Sequence, residues 1–290
     1  ARAATDRLVG VALGGGGALG LAHVPLLRAI DEAGIPIDIV SGASFGSLVG
    51  AYYCMNGGAG LDRLERNVRR LTRGPNIRGF ILPQTVLRLI DQPMKDARLE
   101  SLPVQFVPVA TYASDFTPAL PAAATVAEAV RASGAMPPLF AAHDGDGMRF
   151  LDGAFVANVP AEVLVACGAA LVIASDPISQ PAAEAARRSD GRLARIADAI
   201  GRMGVFRLTD FGRGLQTLVH LASAQSSLTG DVLFRPPRAS LIDTFRFGQC
   251  AEIIDASQQA IERTGLVRRA QAAWGQLCGH ERVVPQTAEG

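Results

Sequence analysis

Apolar positions along the chain fall into two alternating patterns. "LVGVAL" (8–13) is a short unbroken apolar run, and "IDIV" (37–40), "VQFVPVA" (104–110) and "ALVIAS" (170–175) repeat the form. Runs this short predict buried strands. Between the first two lies "ALGLAHVPLLRAIDEAG" (18–34), where Leu19, Ala22, Leu26, Ala29 and Ile30 recur at helical spacing and Gly34 closes the helix. "FGSLVGAYYCM" (45–55) predicts a second, apolar helix. A strand–helix–strand–helix order with short loops predicts a parallel sheet covered by helices. "TVAEAVRASGAMPPLF" (125–140) predicts a helix stopped by its glycine and prolines, and "MRFLDGAF" (148–155) a short strand running into a turn. "FGQCAEIIDASQQAIERTG" (247–265) predicts a surface helix with Cys250, Ile254, Ser257 and Ile261 on its packed face. Residues 61–103 read as an arginine-rich helical excursion over the sheet. One domain spanning 1–290 is expected, with a mobile loop over 180–193 and a flexible tail over 270–290.

Composition narrows the function classes. Apolar residues make up 49% and charged residues 19%, so a sizeable core can form. A net charge of +1 gives no bulk attraction to nucleic acid, and no such partner is expected. The four cysteines lie far apart, with no CxxC and no Cys/His cluster, which argues against zinc and a disulfide framework. Free thiols fit a reducing, cytoplasmic setting. No apolar run reaches the roughly 18 residues of a membrane span. A chain that begins at Ala1 rather than Met is expected to be processed or cut from a longer one.

Two motifs carry chemistry. "GGGGALG" (14–20) contains Gly15-x-Gly17-x-x-Gly20 between a strand and a helix, the form of a dinucleotide fingerprint. A Rossmann unit also needs an acidic residue at the end of its second strand. Here that strand ends in "VSG", and Asp38 lies near its start. Consecutive glycines can instead converge their N–H groups ahead of a helix and hold a developing oxyanion. Gly42-x-Ser44-x-Gly46, also between strand and helix, has the form of a nucleophile elbow. Loops at the carboxyl ends of neighbouring parallel strands lie side by side, so the two motifs can face each other. A serine nucleophile needs a base. His23, His143, His220 and His280 have no context that announces one. Asp152, ahead of Gly153 and Ala154, is the better candidate, because a carboxylate in a dry site can take the Ser44 proton directly.

The glycine loop, the serine motif and the Asp152-Gly153-Ala154 triplet, in this order, resemble the patatin-like phospholipases over about residues 8–265. "AVRASGAMPPLF" and "FRPPRASLIDTFRFGQ" are similar to the neuropathy-target-esterase branch of that family. The resemblance implies a three-layer α/β/α fold with a mostly parallel central sheet. It implies hydrolysis of phospholipid or lysophospholipid acyl esters with neither metal nor cofactor. Ser44 would be the nucleophile and Asp152 the base in both half-reactions. The amides of Gly15, Gly16 and Gly17 would form the oxyanion hole, with Gly20, Gly42, Gly46, Gly153 and Ala154 completing the motifs. The family usually carries an arginine where this chain has Leu19. Tyr52, Tyr53, Met136, Leu139 and Phe140 are candidates for an acyl-chain pocket, and ordinary core packing accounts for them equally well. Arg63, Arg66, Arg69, Arg70, Arg73 and Arg78 offer contact with an anionic headgroup or a membrane surface, against the plainer reading of a solvated helix face. A silent lipid-binding module and a dinucleotide-binding oxidoreductase remain open alternatives.

Overall fold

The computed structural model describes residues 7–72, 83–121, 125–137, 139–178, 222–223, 229–237 and 247–279. Its strands are β1 (Leu8–Leu13), β2 (Ile39–Ala43), β3 (Gln105–Tyr112), β4 (Pro118–Ala119), β5 (His143–Gly145), β6 (Met148–Asp152), β7 (Ala169–Ser175) and β8 (Val232–Phe234). They form one sheet in the order β5-β6-β3-β2-β1-β7-β8, with β4 also pairing β3. The pairings of β1 with β2 and β7, of β2 with β3 and of β7 with β8 are parallel. The pairings among β3, β4, β5 and β6 are antiparallel.

Successive side chains of the central strands enter different cores. Val9, Val11 and Leu13 of β1 join Val40, Leu171 and Ile173 in one cluster, whereas Ala12, Ile39, Val172 and Ala174 join another. Strands buried on both faces have no polar side to alternate with, which is why they read as continuous apolar runs. The larger cluster is covered by α1 (His23–Glu32), α2 (Phe45–Thr72), α6 (Cys250–Thr264) and α7 (Leu266–Gly279). The smaller is covered by α5 (Ala161–Ala166). This is the expected three-layer α/β/α arrangement. Helices α3 (Pro83–Met94) and α4 (Val126–Ser133) complete the described set.

Several boundaries differ from the sequence pattern. The helix expected over 18–34 is a 3-10 turn, Gly17–Ala22, followed by α1. Strand β2 starts and ends later than expected; just ahead of it Asp38 bonds the Val9 backbone twice, its amide donating to the Val9 carbonyl (3.0 Å) and its carboxylate accepting from the Val9 amide (2.9 Å). Helix α2 breaks at Asn56 and Gly57, where φ is −148° and +54°. Its arginine-bearing half then folds back, with Gly60 against the Tyr52 carbonyl. Residues 266–279 are helical where a loose tail from 270 was expected, since Leu266 and Ala270 are buried and Trp274 and Leu277 pack on the core. The expected loop over 180–193 lies outside the described residues. No described helix is long and apolar enough to cross a membrane.

Candidate active site

Ser44 follows the last residue of β2 directly and adopts φ +52°. This left-handed conformation costs a non-glycine residue about 1–2 kcal/mol, so the surroundings must hold it. Ser133, at the end of α4, accepts from the Ser44 amide with both its carbonyl and its hydroxyl oxygen (3.1 Å each). The Ser133 hydroxyl in turn donates to the Val109 carbonyl at 2.6 Å. On the other side Ser47 donates its hydroxyl (2.6 Å) and its amide (3.0 Å) to the Ser44 carbonyl. The next residues turn so sharply that a Cβ on Gly46 would sit 2.2 Å from the Leu13 carbonyl oxygen. A Cβ on Gly42 would lie 2.7 Å from the Ser47 backbone, so both motif glycines are steric requirements of the elbow.

Strand register brings Asp152 to this point. On β3, Val109 pairs with Ala43 and the next residue, Ala110, pairs with Asp152. The neighbouring Gly153 lies over β3, where a Cβ would be 2.1 Å from the Val109 carbonyl oxygen and 3.2 Å from the Ala43 Cβ. Asp152 is fully buried, and its Oδ1 accepts from the Ala154 amide at 2.8 Å. Burial pushes its pKa from 3.8 up to about 7, against smaller opposing effects of the Ala154 amide and the Ser44 hydroxyl. The hydroxyl is therefore near enough to bias the carboxyl, while Oδ2 has no well-aligned partner among the described residues. The two groups are adjacent without being locked, an arrangement that a bound substrate can tighten.

The glycine loop follows β1, beside β2. A Cβ on Gly15 would lie 2.8 Å from the Ser44 Cβ, so the loop borders the nucleophile. Gly15 itself is not a free donor, which corrects the expectation for it: its amide donates to the Asn158 carbonyl at 3.1 Å. Gly14 donates to the Ser175 carbonyl at 2.9 Å. No described residue accepts from the amides of Gly16 and Gly17. Gly20 packs against the Phe45 ring, and Leu19 is buried in the core.

The remaining candidates separate. Tyr52 and Tyr53 are buried in the main core and bonded to the Leu89 carbonyl and to Asp31, so they line no pocket. Among the described histidines, neither His23 nor His143 bonds to Ser44 or Asp152. His23 is fully buried, and burial lowers its pKa to about 4. Its Nε2 donates to the Gly14 carbonyl (2.7 Å), which leaves Nδ1 to accept from the Ser175 hydroxyl (2.9 Å). His220 and His280 lie outside the described residues. Ser133 bonds the elbow, and His23 and Asn158 bond the glycine loop; motif reading missed these contacts, and only the nearness of His23 to the loop was a signal. Asp38 is bonded at the amino end of β2, far from any ribose of a dinucleotide at the loop.

The model of the patatin-like phospholipase family matches residues 11–165, a stretch that holds the glycine loop, Ser44 and Asp152. The chain belongs to this family. Among patatin-like relatives, "Neuropathy target esterase sws" of Drosophila melanogaster is 34% identical over 206 residues, covering 62% of this chain and 14% of its own length. "Patatin-like phospholipase domain-containing protein 6" of Homo sapiens is 31% identical over 196 residues, with the same shares covered. This chain thus spans about a seventh of the length of these relatives (14%). The solved structure of VipD from Legionella pneumophila aligns with a TM-score of 0.42 at 12% identity, covering 89% of this chain and 67% of that one.

Proposed function

We propose that this protein is a serine-dependent lipid acyl hydrolase that works through a Ser44–Asp152 dyad. The observation that carries the reading is a buried carboxyl, titrating at about pH 7, beside the hydroxyl of a strained serine. In its ionised form Asp152 takes the Ser44 proton as Oγ attacks the ester carbonyl carbon. The carbonyl π electrons move to oxygen, and the oxyanion lies against the Gly16 and Gly17 amides. Each such donor lowers the barrier by about 3 kcal/mol. Collapse breaks the bond to the leaving alkoxide, which takes the proton back from Asp152. Water then attacks the acyl-enzyme, gives its proton to Asp152 and releases the fatty acid, and the proton returns to Ser44.

Phospholipid or lysophospholipid is the proposed substrate, since the similar proteins are named as an esterase and as a phospholipase-domain protein. The lipid surface has two apolar contacts to meet. Phe116 tips the β3–β4 hairpin at the carboxyl edge of the sheet, is 56% exposed, and stacks edge-on against Phe155, three residues past Asp152. Leu120, Leu139 and Met148 are also exposed. Asp62 and Glu65 are taken up by Arg28, leaving Arg63, Arg66 and Arg70 on the outer face of α2 for anionic headgroups. Arg73 and Arg78 lie outside the described residues. Four free cysteines fit a peripheral protein on the cytoplasmic side of a membrane.

The test is hydrolysis of a lipid panel and of a short acyl ester by wild type, Ser44→Ala and Asp152→Asn, with fluorophosphonate labelling alongside. Both variants are expected to lose hydrolysis and labelling, Ser44→Ala because the site is gone and Asp152→Asn because Ser44 loses its base. Wild-type protein that is folded, unlabelled and inactive would turn the reading into the silent lipid-binding module.

A further inference from the structure

Against Gly15 of the glycine loop lies a buried chain of polar groups to which the hydrolase reading gives no role. Asn158 is fully buried and brackets Gly15: its main-chain carbonyl accepts the Gly15 amide (3.1 Å), and its Nδ2 donates to the Gly15 carbonyl (3.4 Å). The same Nδ2 donates to the Ser223 hydroxyl oxygen at 3.0 Å. The Ser223 hydroxyl in turn donates to Asp176 Oδ1 at 2.6 Å. Because the carboxylate claims the Ser223 proton, the Ser223 oxygen must accept, which fixes the Asn158 amide with nitrogen toward the loop. Asp176 is anchored through its amide, which donates to the Phe234 carbonyl (2.9 Å), and through Oδ1, which also accepts from the Ile178 amide (3.1 Å).

A peptide group is planar and trans, so its C=O and the following N–H point in opposite directions. Pinning the Gly15 carbonyl to Asn158 therefore turns the Gly16 amide away from Asn158. The Leu19 amide does the same one plane later, holding the Gly16 carbonyl (3.1 Å) and turning the Gly17 amide outward. His23 holds the plane before, through the Gly14 carbonyl, and so directs the Gly15 amide back onto Asn158. Glycines have no side chain to resist rotation, and without these bonds the loop would sample many orientations.

We propose that Asn158, held by Ser223 and Asp176, is a positioning residue that aims the Gly16 amide at the substrate oxyanion. The inference rests on the Ser44–Asp152 reading. Asn158→Asp keeps shape and replaces the donor by an oxygen; Ser223→Ala loosens Asn158 while leaving its contact with the loop.

Four readouts test it: kcat, KM, affinity for a trifluoromethyl ketone that becomes a tetrahedral adduct on Ser44, and affinity for the matching alcohol, which cannot. For Asn158→Asp, kcat is expected to fall roughly 100-fold or more, the loss of one oxyanion donor. Ketone affinity falls by the same factor, while KM and alcohol affinity stay within about threefold, since the ground state does not use the amide. Ser223→Ala shows the same pattern, smaller, and serves alone if Asn158→Asp does not fold. Equal weakening of ketone and alcohol, or an unchanged kcat, overturns the positioning role. Ser44→Ala in the same assay separates the two claims: hydrolysis that survives it overturns the dyad reading, and this inference with it.

Discussion

Asp152 holds its proton to about pH 7 in the folded protein, against 3.8 ordinarily. Between these values the unfolded chain has released a proton that the native state keeps, so stability falls as pH rises through that window. Asp152→Asn removes this titration. The variant is expected to match wild type near pH 3.5 and to exceed it at pH 8 by on the order of 4 kcal/mol, read from urea unfolding at each pH. His23 works oppositely: its pKa is lowered to about 4 from 6.5, so stability is lost as pH falls between them. It is common to both proteins and cancels in the comparison. Activity follows the carboxylate, and kcat/KM for a short ester should rise through about pH 7 on its acid limb. Ser44 and Asp152 were legible because each stands in a short motif whose neighbours are forced by sharp turns. Ser133 and Asn158 were not, because they act on residues 89 and 143 positions away, through bonds that only folding creates.

At the scale of elements, the turns that deliver the two groups are set by backbone approach. Gly46→Ala and Gly153→Ala would each drive a methyl into a carbonyl oxygen, of Leu13 and of Val109. Each is expected to cost on the order of 3 kcal/mol and to abolish hydrolysis, because relief of the clash moves the elbow or the carboxyl. Thr125 is the contrast. It caps α4 with a capping box to Glu128, so Thr125→Ala should cost about 1 kcal/mol and leave kcat of the folded protein unchanged. Denaturation curves and kcat for the three variants check both statements. The long buried strands β1, β3 and β7 were readable as apolar runs. The short strands β4, β5 and β8 span two or three residues, too few to show a period, and exist because a neighbour offers them a ladder.

Over the whole molecule, the site is a meeting of strand ends. The glycine loop leaves β1, Ser44 leaves β2, and β6, antiparallel to β3, reaches Asp152 opposite Ala110, one residue beyond the Val109 that pairs with Ala43. The second half of α2 folds back from the Asn56–Gly57 break, so Leu61, Leu64 and Val68 face the core and Arg63, Arg66 and Arg70 face solvent. Replacing these three arginines by glutamate is expected to weaken binding to vesicles containing phosphatidylserine, at about 1 kcal/mol per basic residue removed. Hydrolysis of a soluble short ester should stay at the wild-type rate. Vesicle sedimentation at two salt concentrations checks this, with equal binding by variant and wild type counting against the arginine face.

The order of buried strands and helices, the nucleophile elbow and the aspartate beside Gly153 and Ala154 were determined by the sequence alone. Each depends on residues close together in the chain, where apolar period and turn sterics act directly. Only the tertiary structure decided which loop amides are left without an acceptor, that Gly15 is spent on Asn158, that the tyrosines belong to the core, and that burial pushes the Asp152 pKa up to about 7. These are properties of distant groups brought together and stripped of water, and neither proximity nor dehydration exists until the sheet closes.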